Sequence, residues 1–176
     1  MTITAPAVGD PVDDWFDDVT NELNTVSGLY SGAWTSYVPN TGSNVLQAAT
    51  TDPTQGNTTY LAEFLRMHTG LIKVRVKLSI DTGGGWSAGS GAWRIMLPPQ
   101  YPTMTANDSN IPSGNAWIND TGTALHWGIV IPDNSTTYVS VFQDGGSGVS
   151  VLGSSGPGTA WATGDVLSMK FEYEPA

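Results

Sequence analysis

The side chains that could perform acid–base or metal chemistry are few and widely separated in this sequence. The 176 residues include two histidines, His68 and His126, and no cysteine. His68 falls in an expected hairpin turn and His126 in an expected strand, and neither belongs to a recognisable catalytic motif. A zinc site needs at least a third ligand, and neither histidine has one nearby in the sequence. We therefore interpret both histidines as structural.

The carboxylates also give no sign of a catalytic pair. Glycoside hydrolysis needs two carboxylates, whereas most acids of the expected β-region fall in turns, where Asp bonds nearby backbone N–H groups. These turn residues are Asp52, Asp81, Asp108, Asp120, Asp133, Asp144 and Asp165. The sequence predicts a protein that is not an enzyme and holds no metal or cofactor. A glycan depolymerase remains an alternative, and it would require two carboxylates within ~10 Å in a cleft.

Aromatic residues are the better candidates for a binding role, because the chain has seven tryptophans. Trp86 and Trp161 lie in glycine-rich runs, which favours exposed loops from which an indole can stack on a sugar or enter a neighbouring subunit. The alternative is that each ring folds back over the open end of the domain. The candidate glycan contacts are Trp86, Tyr101, Trp117 and Trp161.

Charge and composition exclude several classes of partner. The formal net charge of −10 argues against free nucleic acid, because a phosphate backbone needs a basic footprint. No apolar run approaches the ~20 residues of a membrane span, and we expect no signal peptide. Charged residues make up only 12% of the chain, which is typical of loop-rich β-proteins.

Most of the chain has the pattern of short antiparallel strands. Residues 71–80 alternate between apolar and charged side chains, which indicates a strand with one buried face. Glycine, proline and aspartate punctuate the chain every 8–12 residues, which predicts a mainly β fold, an antiparallel β-sandwich or jelly roll over residues 33–176. The candidate strands are 34–38, 44–50, 58–67, 71–80, 92–97, 115–119, 123–131, 136–142, 148–152 and 165–174.

Residues 1–27, which we call the leader, have a different pattern. Asp10 and Pro11 are typical of the start of a helix, and Gly28 of its end. The leader holds six of the sixteen acidic residues and no Lys or Arg. We expect a short α-helix that packs on its own β-domain, pairs with other copies, or binds a larger assembly. Its candidate interface residues are Val12, Trp15, Phe16, Val19, Leu23 and Val26.

Several motifs together carry a resemblance to a known family. They are Trp34-Thr35-Ser36-Tyr37-Val38-Pro39, the turn at 51–57, the hairpin at 66–76, the tryptophan strand at 90–98 and the segment Trp161-Ala162-Thr163-Gly164-Asp165-Val166-Leu167. This set resembles the β-domains in virion proteins of tailed phages of actinobacteria. One departure is Asp52, at a position where that pattern usually has asparagine.

The resemblance implies a structural protein on the surface of a phage particle, and it carries no catalytic residue. It implies a homotrimer that contacts other virion proteins, such as the major capsid or tail protein. We expect a decoration or appendage protein that is anchored by its leader. The alternative is a tail-fibre-like or carbohydrate-binding module that attaches the particle to a host glycan.

Overall fold

A computed structural model describes ten stretches of the chain. They are residues 33–37, 45–54, 59–67, 69–80, 85–106, 110–122, 124–132, 135–144, 149–156 and 160–176. The leader lies outside the described residues. The expected helix and its six candidate interface residues therefore remain predictions.

The described residues form a mainly β structure with almost no helix, and each of the ten expected strands is present. Their observed bounds differ from the expected ones by at most a few residues, because strand ends are set by turn geometry that the alternation pattern does not encode. The strands are β1 (Thr35–Ser36), β2 (Leu46–Ala48), β3 (Thr59–Arg66), β4 (Ile72–Ser79), β5 (Trp93–Met96), β6 (Gly114–Asp120), β7 (Ala124–Ile131), β8 (Tyr138–Asp144), β9 (Val149–Val151) and β10 (Val166–Tyr173).

These strands form one continuous antiparallel sheet that curves into a half-barrel. Its order is β1-β3-β4-β10-β6-β7-β8-β5-β2, and β9 also pairs with β8. A sandwich or jelly roll is therefore not confirmed, although the mainly β, antiparallel character is. Strand alternation predicts that one face of the sheet is buried. It does not predict whether that face packs on a second sheet or on another part of the same curved sheet.

The curl brings the two ends of the sheet order together. The Tyr37 hydroxyl, just after β1, donates a hydrogen bond to the Met96 carbonyl at the end of β5 (3.1 Å). The loop after β5 helps to close the core, because the Tyr101 ring meets Phe64 of β3 edge-on with centroids 5.6 Å apart. The Tyr173 hydroxyl of β10 donates to the Tyr101 carbonyl (2.7 Å). These contacts enclose the inner face of the sheet.

The burial pattern of strand β4 identifies the inner and the outer face of the sheet. Its residues Ile72, Val74, Val76 and Leu78 are buried, and the residues between them lie outside, as the alternation predicts. Antiparallel pairing carries the same division across β3, β10, β6 and β7, because opposed residues point to the same side of a sheet. One outer face therefore extends over five adjacent strands.

Candidate binding face

The described residues contain no cluster of three or more His, Cys, Asp or Glu side chains that could hold a metal ion. His126 points inward from β7 and is half-buried, and its Nε2 atom has no hydrogen-bond partner among the described residues. His68 lies outside the described residues. Asp165 is buried, and its two carboxylate oxygens accept hydrogen bonds from the backbone nitrogens of Thr121 (2.8 Å) and Ala162 (2.7 Å). This carboxylate therefore ties the β6–β7 turn to the start of β10.

Of the two alternatives for Trp161, an exposed loop and a ring that folds back onto the domain, the structure has the second. It is buried, its ring stacks on Trp93 with centroids 4.5 Å apart, and its Nε1 donates to the Gly153 carbonyl (2.9 Å). Trp161 therefore offers no ring face to a sugar.

Trp86 and Tyr101 are half-buried rather than displayed. Both pack against the hydrophobic core, and the guanidinium of Arg66 lies over the Tyr101 ring, 5.7 Å from its centroid. The face that a ligand would need is therefore largely covered in both. This leaves Trp117 as the expected glycan contact that is well exposed, at 48%.

Trp117 is paired with a second exposed tryptophan, Trp127. The two residues are opposed across the β6–β7 hairpin, and their ring centroids lie 5.0 Å apart. Trp127 is 64% exposed. The sequence analysis missed Trp127, although the signal was present, since both residues lie five positions from Gly122 in the turn. Equal spacing from a hairpin turn predicts cross-strand neighbours.

Strand β7 carries its large apolar residues on the outside. Leu125 (48%), Trp127 and Ile129 (40%) are all exposed, whereas the inner positions include Gly128. A Cβ at Gly128 would lie 2.7 Å from a methyl group of Val141, so the inner layer leaves no room for a larger residue. We call Trp117, Leu125, Trp127 and Ile129 the tryptophan platform. A contiguous exposed apolar surface of this kind is typical of an interaction site.

Positive charge is concentrated next to the tryptophan platform. Four of the six Lys and Arg residues of the chain lie on the outer face of β4 and β10. They are Lys73, Arg75, Lys77 and Lys170. A protein with a net charge of −10 thus gathers most of its cations on one face.

Two of these cations are already paired. Lys73 contacts Glu172 at 2.9 Å, and Arg75 pairs with Glu63 and lies under the ring of Trp34, 4.3 Å from its centroid. Neither Lys77 nor Lys170 has an ion-pair partner in the part of the chain that the structure describes. Both are exposed, so both ammonium groups are available to an anion.

The tryptophan platform and these lysines border the same depression. An open groove of about 380 Å³ is lined by Leu61, Lys77, Trp117, Trp127 and Lys170, among others. A second, wider groove of about 660 Å³ adjoins it and shares Asn115 and Lys170 as lining residues. The arrangement can stack a flat ring or sugar at one end and bind an anionic group at the other, and no Asp or Glu is among the described residues that line the first groove.

Comparison with known proteins gives no relative: no protein-family model, no curated protein and no solved structure matches the chain. Within the described residues, no helix is long and apolar enough to cross a membrane.

Proposed function

We propose that this protein is a structural protein of a phage virion, a decoration or appendage protein on the particle surface that is not an enzyme. In this proposal it forms a homotrimer and contacts other virion proteins. The leader is a short helix that anchors it, and the β-domain is a jelly-roll-like body in which the two halves of the curved sheet face each other.

The proposal is supported by contacts that residues from the family-like motifs make in the folded domain. Trp93 comes from the tryptophan strand and Trp161 from the last motif, and these residues stack on each other although 68 positions separate them. Trp93 Nε1 also donates to the Ala88 carbonyl (3.0 Å). Asp52, the departure from the pattern, still accepts a hydrogen bond from the Ala48 nitrogen (2.9 Å). Residues from three of the motifs therefore contribute contacts to one fold, and the virion role itself rests on the resemblance.

The direct test uses purified particles of the phage that encodes this chain. We expect mass spectrometry to detect the protein in particles, and an antibody raised against it to label intact particles in electron micrographs. A particle that lacks the protein would exclude a virion role. A particle that contains it but is labelled only after disruption would exclude surface display.

The anchoring role of the leader has its own test. Phe16→Asp should remove the protein from particles and leave the β-domain folded, because it places a charge in the apolar stripe. Thr20→Asp, which adds the same charge outside that stripe, is the matched control. If Phe16→Asp is incorporated as well as Thr20→Asp, the leader stripe is not the anchor.

A second candidate function, a carbohydrate-binding module for host attachment, is favoured by the exposed Trp117–Trp127 pair. Exposed indole faces beside polar groups are typical of carbohydrate contacts. Titration of the full-length protein with host cell-wall polysaccharide should change its tryptophan fluorescence, and Trp127→Ala should remove most of that change. No change at millimolar sugar would exclude this candidate.

A further inference from the structure

We infer that the outer face binds a negatively charged polysaccharide strand. The tryptophan platform stacks on sugar rings, and Lys77 and Lys170 pair with carboxylate or phosphate groups further along the strand. The inference rests on the second candidate function above, and it adds the charge of the ligand and the residues that recognise it.

The strand register aligns these groups in one row. Trp127 lies opposite Trp117, Trp117 opposite Ser168, Ser168 opposite Lys77, and Lys77 opposite Leu61. Adjacent strands are ~4.8 Å apart, so Lys77 lies about 10 Å from Trp117 across the sheet. An extended chain that stacks on the two indoles and follows this row therefore reaches the Lys77 ammonium group. The Ser168 side chain lies between them as a hydrogen-bonding group.

A second row runs beside the first and places two cations, Lys170 and Arg75, opposite each other. Ile129 lies opposite Asn115, Asn115 opposite Lys170, and Lys170 opposite Arg75. Like charges directly opposed across strands are destabilising. Glu63 pairs with Arg75, but Lys170 has no ion-pair partner among the described residues. An anionic group bound over Lys170 would relieve this repulsion.

The local charge favours an anion even though the whole molecule is acidic. The outer faces of β3, β4 and β10 carry four cations and two carboxylates, Glu63 and Glu172, and the outer face of β6 and β7 carries no charge. At physiological ionic strength, charges more than ~8 Å away are largely screened. Around Lys77 and Lys170 the outer-face cations of these three strands therefore outnumber the carboxylates by two, which favours an anion at that end of the groove.

Two other occupants would use the same features. Single-stranded nucleic acid also stacks on aromatic rings, but its affinity depends on neutralising several phosphates, and this face offers only two lysines that have no ion-pair partner among the described residues. The acidic leader of the chain is the other, and a face that it covered would bind no added ligand. In the test below, an oligonucleotide probe detects nucleic-acid binding, and occupation by the leader would appear as no binding of any glycan.

The test is binding of the full-length protein to an array of oligosaccharides at physiological ionic strength, about 0.15 M. The array holds uronate oligomers, phosphodiester-linked glycans, and the same uronate oligomers with their carboxylates reduced to neutral alcohols. We expect acidic glycans to bind at least about tenfold more tightly than their reduced forms, and the binding to weaken as salt is added. The uronate and phosphate sets identify which anion is preferred. A thymidine oligonucleotide is included as the nucleic-acid probe.

Variants separate stacking from charge recognition. Trp127→Ala should weaken binding to all glycans by about tenfold. The double variant Lys77→Gln, Lys170→Gln should abolish the preference for acidic over reduced glycans and most of the salt dependence. Ile111→Ala, at a 54% exposed residue that lines neither groove, and Arg94→Gln, which removes a cation from β5, are the controls that should bind like the wild type.

The outcomes distinguish this inference from the function on which it rests. Equal binding of acidic and reduced glycans, still lost in Trp127→Ala, would overturn the charge inference and leave the carbohydrate-binding function standing. No binding of any glycan would overturn both. Tighter binding of the oligonucleotide than of any glycan would identify the face as a nucleic-acid site and would also overturn both.

Discussion

Trp117 and Trp127 lie side by side across the β6–β7 hairpin, with ring centroids 5.0 Å apart and with about half or more of each side chain exposed. Exposing two large aromatic rings forgoes the stabilisation that burial would give, about 1.5–3 kcal/mol for a large apolar side chain. Their neighbours Lys77 and Lys170 are likewise without ion-pair partners among the described residues. The outer face therefore displays apolar and charged side chains whose burial or pairing would make the isolated protein more stable.

The first prediction separates this face from the core by stability. Trp127→Ala should change the free energy of unfolding by no more than about 0.5 kcal/mol, because the residue is exposed. Trp93→Ala should cost about 3–5 kcal/mol, because Trp93 is only 2% exposed and stacks on Trp161. Urea denaturation followed by circular dichroism measures both. A large loss in Trp127→Ala would mean that its ring supports the fold.

The second prediction concerns the orientation of β7. Gly128→Ala should destabilise the protein by about 1–3 kcal/mol, because the new Cβ would lie 2.7 Å from Val141 and 3.0 Å from the Phe142 carbonyl oxygen. That close approach keeps the apolar residues of β7 on the outside. Thermal unfolding measures the loss. If Gly128→Ala is as stable as the wild type, the inner layer is looser than these distances indicate.

The third prediction concerns the buried carboxylate of Asp165. Asp165→Asn should cost about 2 kcal/mol, because its two oxygens each accept a backbone N–H, whereas an amide has one oxygen and would oppose the other N–H with its own donor. Asp52→Asn is the matched control, since Asp52 is exposed and one oxygen accepts the Ala48 nitrogen. Equal effects of the two changes in urea denaturation would contradict this role for Asp165.

The fourth prediction concerns stability at alkaline pH. Burial raises the pKa of Tyr37 and of Tyr173 well above the ordinary value of about 10. The folded protein therefore keeps both protons where the unfolded chain loses them, so this contribution is full below about pH 10 and is lost as the pH rises above it.

Tyr37→Phe tests the alkaline prediction. It should lower stability by about 1 kcal/mol at neutral pH, through loss of the hydrogen bond to the Met96 carbonyl, and should flatten the decline in stability above pH 10. Urea denaturation between pH 7 and pH 11.5 measures both effects. An unchanged decline in Tyr37→Phe would show that other groups cause the alkaline loss.

The sequence predicted the strands well because alternation is a local property. In β4, each charged residue between two aliphatic ones marks the outer face, and the structure confirms that face. The curvature of the sheet was not predictable in this way, because it depends on contacts such as that of Tyr37 with Met96, whose residues are 59 positions apart. Local pattern does not contain information about such pairs.

In the candidate site, too, features set by local sequence were predictable and features set by long-range contacts were not. The glycine-rich flanks of Trp161 suggested exposure, but burial against Trp93 is decided by residues far away in the chain. The Trp117–Trp127 pair could have been found, since the two residues are equally spaced about the Asp120-Thr121-Gly122 turn. The proximity of Lys77 and Lys170 could not have been predicted from the sequence, because β4 and β10 become neighbours only through long-range strand pairing.

Under the proposed virion role, the most direct measurement is competition for adsorption of the phage proposed to carry this protein to its host cells. Purified full-length protein should reduce adsorption in proportion to its concentration, Trp127→Ala should be at least about tenfold less effective, and Ile111→Ala should match the wild type. Equal competition by wild type and Trp127→Ala, or none by either, would contradict the view that this exposed face binds the host surface.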